Sequence, residues 1–428
     1  MLNLRYGIYF IIFLMPLYLW RFSIFGIPTT VLEMMIYILF LSWALNGVHS
    51  LECKNFSLNK INSYRLKPEL QILNIGIALL FLGLTISTFN SSDLRTSLGI
   101  FKGWFVDPFL FFVVFISVIK KEKHIILVLK SWLASGIVIS LIGIFYLLNN
   151  DLTFDGRLKA FFLSPNYLAM YLAPAFLIVL FFWNLPFRVS KNLVYPNHLN
   201  KILKDKFQYP IFSIIILIPL CFTYSYGAFL GIFVGVVYLF LSSNFIRTLR
   251  NSIFNIQYSI FLIIIFTILI SMTAVKFDQV INSNERSSFH SRLMVWNASA
   301  EIIKDNPLFG IGPGTFQDTY LLYAEKFDEP YLEWAVPQPH NIFLAFYLQT
   351  GLIGFLGFIF ILFWFFNAKL KCYNIQYSIF NILTCLMIYI LIHGLIDTTY
   401  WKNDLALMFW IIIGMMIVSQ KNTKSLSK

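Results

Sequence analysis

The chain reads as an all-α polytopic membrane protein, and three observations predict it. Apolar residues make up 58% of the 428 positions and charged ones 12%, against about 25% charged in soluble domains. Apolar runs near 20 residues, the length that crosses the hydrocarbon as a helix, recur about twelve times. Lys and Arg crowd into alternate connectors, as cytoplasmic loops require.

The first run, 4 to 20, follows Arg5 and resembles a signal peptide. Arg21-Phe22-Ser23 offers no small-x-small cleavage site, so a retained anchor is expected. Further runs lie at 31 to 48, 70 to 89, 98 to 119, 130 to 148, 162 to 184, 210 to 226, 227 to 243 and 254 to 275. A long polar stretch follows, and the last runs are 341 to 366, 378 to 396 and 405 to 419. The expected organisation is therefore an N-terminal transmembrane bundle (1–275), one large outer loop with an amphipathic helix (276–340), and C-terminal transmembrane hairpins with a short tail (341–428).

Basic connectors carry Lys54, Lys60, Arg65 and Lys67, then Lys120, Lys121 and Lys123, and later Arg188, Lys191, Arg247, Arg250, Lys369 and Lys371. These loops are expected in the cytoplasm, with both termini. The net charge of +12 is thus explained by topology and by contact with anionic lipid, and nucleic-acid binding is not expected. Cys53 and Cys372 fall in inner loops and Cys221 and Cys385 within spans, so no disulfide framework and no metal-ligand spacing emerges.

Cations on the outer side oppose the topological bias and want another reason. Arg157, in a short outer loop, stands before Ser164-Pro165-Asn166-Tyr167. Pro165 suits the first turn of a helix, whose free amides favour an anion, and a guanidinium fork suits a phosphate. A snorkelling side chain is the plainer alternative. In the large loop, Phe289, Leu293, Trp296, Ala300 and Ile303 recur at helical spacing, with Arg292 at the edge of that stripe and Arg286 just before it. Asp305-Asn306-Pro307 ends this helix. Gly310, Gly312 and Gly314 then form a turn that lacks the Lys-Ser or Lys-Thr of a nucleotide loop. Tyr320, Tyr323, Tyr331 and Trp334 are candidates to stack on sugar rings or to pack at the interface.

His340 closes the polar stretch at the lip of the next run. The positive end of the helix dipole, with arginines nearby, disfavours the imidazolium, which suits the ring to take a proton from a hydroxyl. Asn341 is placed to orient it. Gly351, Gly354 and Gly357, at spacing three, invite a close helix neighbour. His393 and Asp397, four apart, are expected to share one helix face. Asp397 is left with three roles: to orient His340, to accept from an arginine, or to cap the helix. Glu33 and Asp107 are the acidic residues well inside the runs, and Asp107-Pro108 reads as a helix irregularity.

His340-Asn341, nine residues, Gly351, two residues and Gly354 is similar to the signature of bacterial O-antigen ligases. Arg292-x-x-x-Trp296, Pro307-Leu308-Phe309-Gly310-Ile311-Gly312, and Arg157 followed by Pro165-Asn166-Tyr167-Leu168-Ala169 resemble further motifs of the O-antigen ligase and polymerase superfamily. The resemblance implies a membrane-embedded glycosyltransferase of GT-C architecture in the bacterial inner membrane, inverting, metal-independent and without a cofactor. Its donor would be an undecaprenyl-diphosphate-linked glycan and its acceptor a lipid or glycan hydroxyl, as in lipopolysaccharide assembly. His340 would be the catalytic base. Arg157 and Arg292 would hold the diphosphate; where this chain has Tyr226 in place of the family's common arginine, either Arg286 or another outer cation compensates, or activity is reduced or altered.

A polymerase uses the same donor, and these motifs do not separate it from a ligase. Protein-glycosylating relatives carry an extra soluble domain, and the chain's end soon after Ser419 weighs against that role. A lipid-linked sugar transporter should show repeats and midplane charges, whereas polar residues here gather at the outer edge.

Overall fold

A computed structural model describes residues 4–52, 68–184, 199–242, 267, 288–324, 336–370 and 377–426. Their chain order runs α1 (Leu4–Phe13), a 3₁₀ turn (Met15–Leu19), β1 (Arg21–Ile24), β2 (Ile27–Thr30), α2 (Val31–Glu52), α3 (Pro68–Phe89) and α4 (Leu94–Ile100). A π-helical turn (Phe101–Val106) leads into α5 (Asp107–Val118), α6 (Glu122–Leu148), α7 (Pro165–Asn184), α8 (Leu199–Phe222) and α9 (Tyr226–Ser242). After these come α10 (Ser288–Asp305), α11 (Phe316–Ala324), α12 (Ile342–Leu370), α13 (Tyr377–His393) and α14 (Asn403–Leu426).

The protein is a mostly helical membrane protein. Among the described residues, six helices are long and apolar enough to cross a membrane: Leu70–Phe89, Leu94–Val118, Glu122–Leu148, Pro165–Trp183, Ile342–Ala368 and Asn403–Lys421. Shorter apolar helices occupy Leu4–Phe13, Val31–Asn46, Gln208–Phe222, Tyr226–Ser242 and Ile379–His393. Each expected run falls on one of these except 254 to 275, which lies outside the described residues, as do Cys53, Cys372, Tyr331 and Trp334. Cys221 and Cys385 are free thiols.

The all-helical expectation needs one correction. The loop after the first run is a β-hairpin, with Arg21 opposite Thr30 and Ile24 opposite Ile27. Phe25 and Gly26 both have positive φ, 50° and 79°, the backbone that a two-residue turn needs to match the twist of its strands.

Helices pack where side chains are small. Gly83 lies against the backbone of Gly354, and Gly76 against that of Gly357, so α3 and α12 meet closely. Gly227, Gly231 and Gly235 of α9 receive His393, Tyr389 and Cys385 of α13 in the same way. The apolar span of α14 is enclosed on all sides, as expected of a helix that is hydrophobic around its whole circumference.

Gly351 departs from its expected packing role. At φ 68° and ψ −179° it breaks α12 into two segments, and the outer loop fills the gap. Leu352 N donates to the Leu308 carbonyl at 3.0 Å and Ile311 N to that of Leu348 at 2.7 Å. Polar backbone freed by the break is thereby paired within the protein.

A second irregularity is the one Asp107-Pro108 foreshadowed. Asp107 N bonds to the Lys102 carbonyl five residues back, which strands the Gly103 carbonyl, and Pro108 has no N–H for that of Trp104. Asn403 Nδ2 donates to Gly103 O at 3.2 Å, and Tyr400 Oη to Trp104 O at 3.0 Å. Both acceptors are thus satisfied from one segment, residues 400 to 403, at the start of α14.

Candidate functional site

The site gathers where five segments meet: residues 153–166, the turn between α8 and α9, α10, the start of α12, and the loop after α13. Each side chain is held by main-chain geometry. Arg157 sits in a turn clamped by Thr153, whose N donates to Arg157 O at 2.9 Å and whose Oγ1 accepts from Arg157 N at 3.0 Å. Gly156 makes that turn possible with φ 72°. Leu158 N then donates to Phe222 O at 2.8 Å, fixing the segment to the end of α8.

The Arg157 side chain is spread over two anchors. Its Nε donates to Thr223 O at 2.8 Å and its Nη2 to Asn166 Oδ1 at 2.7 Å, with Asp155 Oδ2 3.9 Å from Nη1. Burial lowers its pKa most, Asp155 and Asp397 oppose that, and Arg292 adds to it. Two guanidinium groups and two carboxylates therefore share one electrostatic neighbourhood.

Asn166 is the residue that joins the parts. As the second residue of α7 it faces two ways, accepting from Arg157 and donating through Nδ2 to Asp397 Oδ2 at 2.8 Å. The other carboxylate oxygen of Asp397 lies 3.3 Å from His340 Nδ1 and accepts from Thr398 N at 2.9 Å. Burial raises the Asp397 carboxyl, but the His340 hydrogen bond and the charges of His340, His393 and Arg292 outweigh it and hold the group below the usual carboxylate range. A hydrogen-bonded path thus runs His340, Asp397, Asn166, Arg157.

His340 lies two residues before the helix itself. Asn341 is the N-cap of α12, its Oδ1 accepting from Phe343 N at 2.9 Å and Leu344 N at 3.1 Å, the pattern that satisfies the first free amides of a helix. Its Nδ2 donates to Leu395 O at 3.0 Å. Asn341 therefore holds the backbone beside the histidine, and the ring contact belongs to Asp397. His340 itself has φ 48°, a left-handed conformation that costs about 1–3 kcal/mol in a non-glycine residue and clusters at functional sites. Trp296 Nε1 braces the preceding Pro339 carbonyl at 3.1 Å. The imidazole is partly exposed at 27%, and its Nε2 makes no hydrogen bond to the described residues.

Arg292 projects from α10, and its Nε donates to Ile396 O at 2.9 Å, next to Asp397. The helix it rides on buries a different face from the expected stripe, turned by roughly 140° at about 100° per residue. Ser291, Val295, Ala298, Ser299 and Ile302 form the buried face, and Ala300 is exposed. Leu293, Trp296 and Ile303 of the expected stripe are only half-buried, and Arg292 borders the true face. Arg286 lies outside the described residues. Tyr226 begins α9 within electrostatic reach of Arg157, after Tyr224, whose φ is 47°.

His393 and Asp397 do not share a helix face, because α13 ends at His393. Gly394 N closes the helix on Ile390 O at 2.9 Å, and its carbonyl accepts from Ile342 N at 2.7 Å. The chain then turns and delivers Asp397 to His340, while His393 Nδ1 meets Tyr389 Oη at 2.8 Å beneath Gly227. Of the aromatic candidates, Tyr320 is fully buried and Tyr323 bonds to Asp305 at 2.6 Å. The three turn glycines serve packing: Gly310 lies on Leu348 O, Gly312 on Ser91, and Gly314 on Thr96 and Ile100.

Lys402 belongs to the same loop and is not a solvent-facing cation. Its Nζ donates to Tyr18 Oη at 2.7 Å and sits 3.3 Å from the centre of the Tyr167 ring, a cation–π contact. Lys102, another outer cation, pairs with Glu33 at 2.6 Å. Among the described residues no group of three His, Cys, Asp or Glu side chains is placed to hold a metal.

Asn166 and Lys402 carried the weakest sequence signals. Asn166 lies within a motif, and Lys402 is an isolated basic residue just before an apolar run. Comparison with known proteins returns one match to a family model, described as O-antigen ligase, over residues 211–359. No curated protein matches the chain.

Proposed function

Starting from a membrane protein that carries an O-antigen ligase domain at residues 211–359, we propose that it transfers a glycan from an undecaprenyl-diphosphate-linked donor to an acceptor hydroxyl. The reaction takes place at the outer face of the bacterial inner membrane, on a GT-C-type bundle of about twelve spans with both termini cytoplasmic. The observation that supports this most is the path from His340 through Asp397 and Asn166 to Arg157, with Arg292 anchored beside it.

In this reading Asp397 holds the His340 Nδ1–H and leaves Nε2 to take the acceptor proton. The acceptor oxygen attacks the anomeric carbon from the face opposite the diphosphate, so the new glycosidic bond forms with inversion as the bond to phosphate breaks. Negative charge grows on the departing diphosphate, and Arg157 and Arg292 stabilise it where it develops. Both arginines spend Nε on a main-chain carbonyl, which pre-orients their terminal nitrogens. Arg286 is assigned a supporting role, and the Tyr226 hydroxyl stands where a third cation is common.

The test is the glycolipid profile of cells lacking the protein and of cells carrying His340→Ala. Long chains stranded on undecaprenyl diphosphate assign a ligase, and single repeats on the final carrier assign a repeat-unit polymerase. Unchanged surface glycan with His340→Ala removes the proposed base.

A further inference from the structure

Away from the site, α1 and α6 run side by side in the same direction. Arg5 Nη1 lies 3.1 Å from His124 Nε2 near their starts, and Ser135 Oγ reaches the Phe13 carbonyl further along at 2.5 Å. Between them opens a groove of about 640 Å³, lined in part by Tyr6, Tyr9, Phe10, Leu127, Lys130 and Ser131. That volume is within the range of small-molecule sites.

Lys130 makes the groove unusual. It lies six residues beyond His124, roughly 9 Å further along the helix, inside a span that crosses the membrane. An ammonium at such depth pairs with an anion or reaches back to the interface. Among the described residues no carboxylate or hydrogen-bond acceptor takes it. The Tyr9 hydroxyl in the same groove is buried and likewise has no hydrogen-bond partner. At the starts of the two helices, Arg5, Lys120, Lys121 and Lys123 outnumber Glu122. A cation and a vacant hydroxyl above an apolar floor, under a basic rim, suit an amphiphile with a negative head.

We propose that this groove binds one anionic phospholipid of the surrounding bilayer, its phosphate on Lys130 and Tyr9 and an acyl chain along Phe13 and Ala134. The groove opens sideways onto the bilayer, so the ligand enters from the leaflet without crossing water. A zwitterionic lipid brings its own ammonium to the same rim and gains less from it.

The test uses the full-length protein in detergent, with retained lipid read by native mass spectrometry. Phosphatidylglycerol and phosphatidylcholine of identical acyl chains are compared in the native protein, in Lys130→Met and in Lys130→Arg. The expected result is preferential retention of phosphatidylglycerol, lowered about fivefold by Lys130→Met and kept by Lys130→Arg, which also shows that the altered position is compatible with folding. Equal retention of the two lipids, or an unchanged value in Lys130→Met, overturns the proposal. Displacement of phosphatidylglycerol by undecaprenyl phosphate in the native protein but not in Lys130→Met assigns the groove to a polyprenyl chain and overturns it as well.

Discussion

At the scale of single residues, the site is a set of side chains whose freedom has been removed by main-chain contacts. His340 is held in a left-handed backbone between a braced carbonyl and a capped helix start. Its replacement by Ala should lower transfer by about 10²–10⁴-fold, the usual weight of a general base, with the protein still inserted, as measured by turnover of a lipid-linked donor in proteoliposomes. Arg292→Lys keeps the charge but loses the fork that reaches Ile396 O and a phosphate together. It should cost about 10²–10³-fold in kcat. Asp397→Asn removes the carboxylate that orients the ring, and a misplaced base should cost about 10²-fold in kcat with KM little changed. The same substitution has a stability signature. The Asp397 carboxyl lies below its ordinary range, so its contribution is full above the unfolded value near about 4 and is lost as pH falls through the lower folded value. Thermal unfolding of the native protein and of Asp397→Asn should therefore differ most near neutrality and converge in acid. A difference that grows on acidification contradicts the assignment.

At the scale of elements, the membrane helices are interrupted where the loops above need support. The π turn at Phe101–Val106 frees two carbonyls, and the segment before α14 takes both. That segment continues the loop that carries Asp397, so the irregularity in one span fixes a residue of the site contributed by another. Tyr400→Phe should leave the Trp104 carbonyl buried and unpaired, a loss of about 1–3 kcal/mol visible as a lower Tm in detergent. The break at Gly351 acts similarly on the outer loop, because Leu308 and Ile311 pair with backbone on either side of it. Gly227 is a third such point. A Cβ there would stand 2.4 Å from the His393 ring, so Gly227→Ala should overpack the α9–α13 contact by about 1–3 kcal/mol. An unchanged Tm in Gly227→Ala would show that the imidazole can move aside.

At the scale of the whole molecule, an enclosed apolar helix, α14, stands among the other spans and carries the polar loop of the site at its N-terminal end. Charge follows the same axis, since Lys120, Lys121 and Lys123 lie at the start of α6 and the turn that carries Arg157 follows its other end. The proposed orientation makes Asn90, in the turn between α3 and α4, an outer residue and Lys120 an inner one. A cysteine at position 90 should react with a membrane-impermeant maleimide in intact spheroplasts, and one at position 120 only after permeabilisation. The reverse pattern would place the site on the cytoplasmic side and exclude a lipid-linked donor presented outside.

A mostly helical membrane fold and the positions of most helices were legible from the amino-acid order, because hydropathy runs, charge bias and helix-start chemistry are local properties. The motif residues Arg157, Arg292 and His340 could be named on the same basis, each next to a helix terminus or on a helix edge. Asn166 as the link between Arg157 and Asp397 was not legible, since its partners lie 9 and 231 positions away. The buried face of α10 was not either, because apolar residues lie on several sides of this helix and only contacts in the folded chain select Val295, Ala298 and Ile302. Nor could local order reveal that α13 stops at His393, or that a break in α12 receives the outer loop. Both outcomes depend on where stranded backbone carbonyls and amides find partners, and in a membrane that is decided by what the assembled bundle brings within hydrogen-bonding distance.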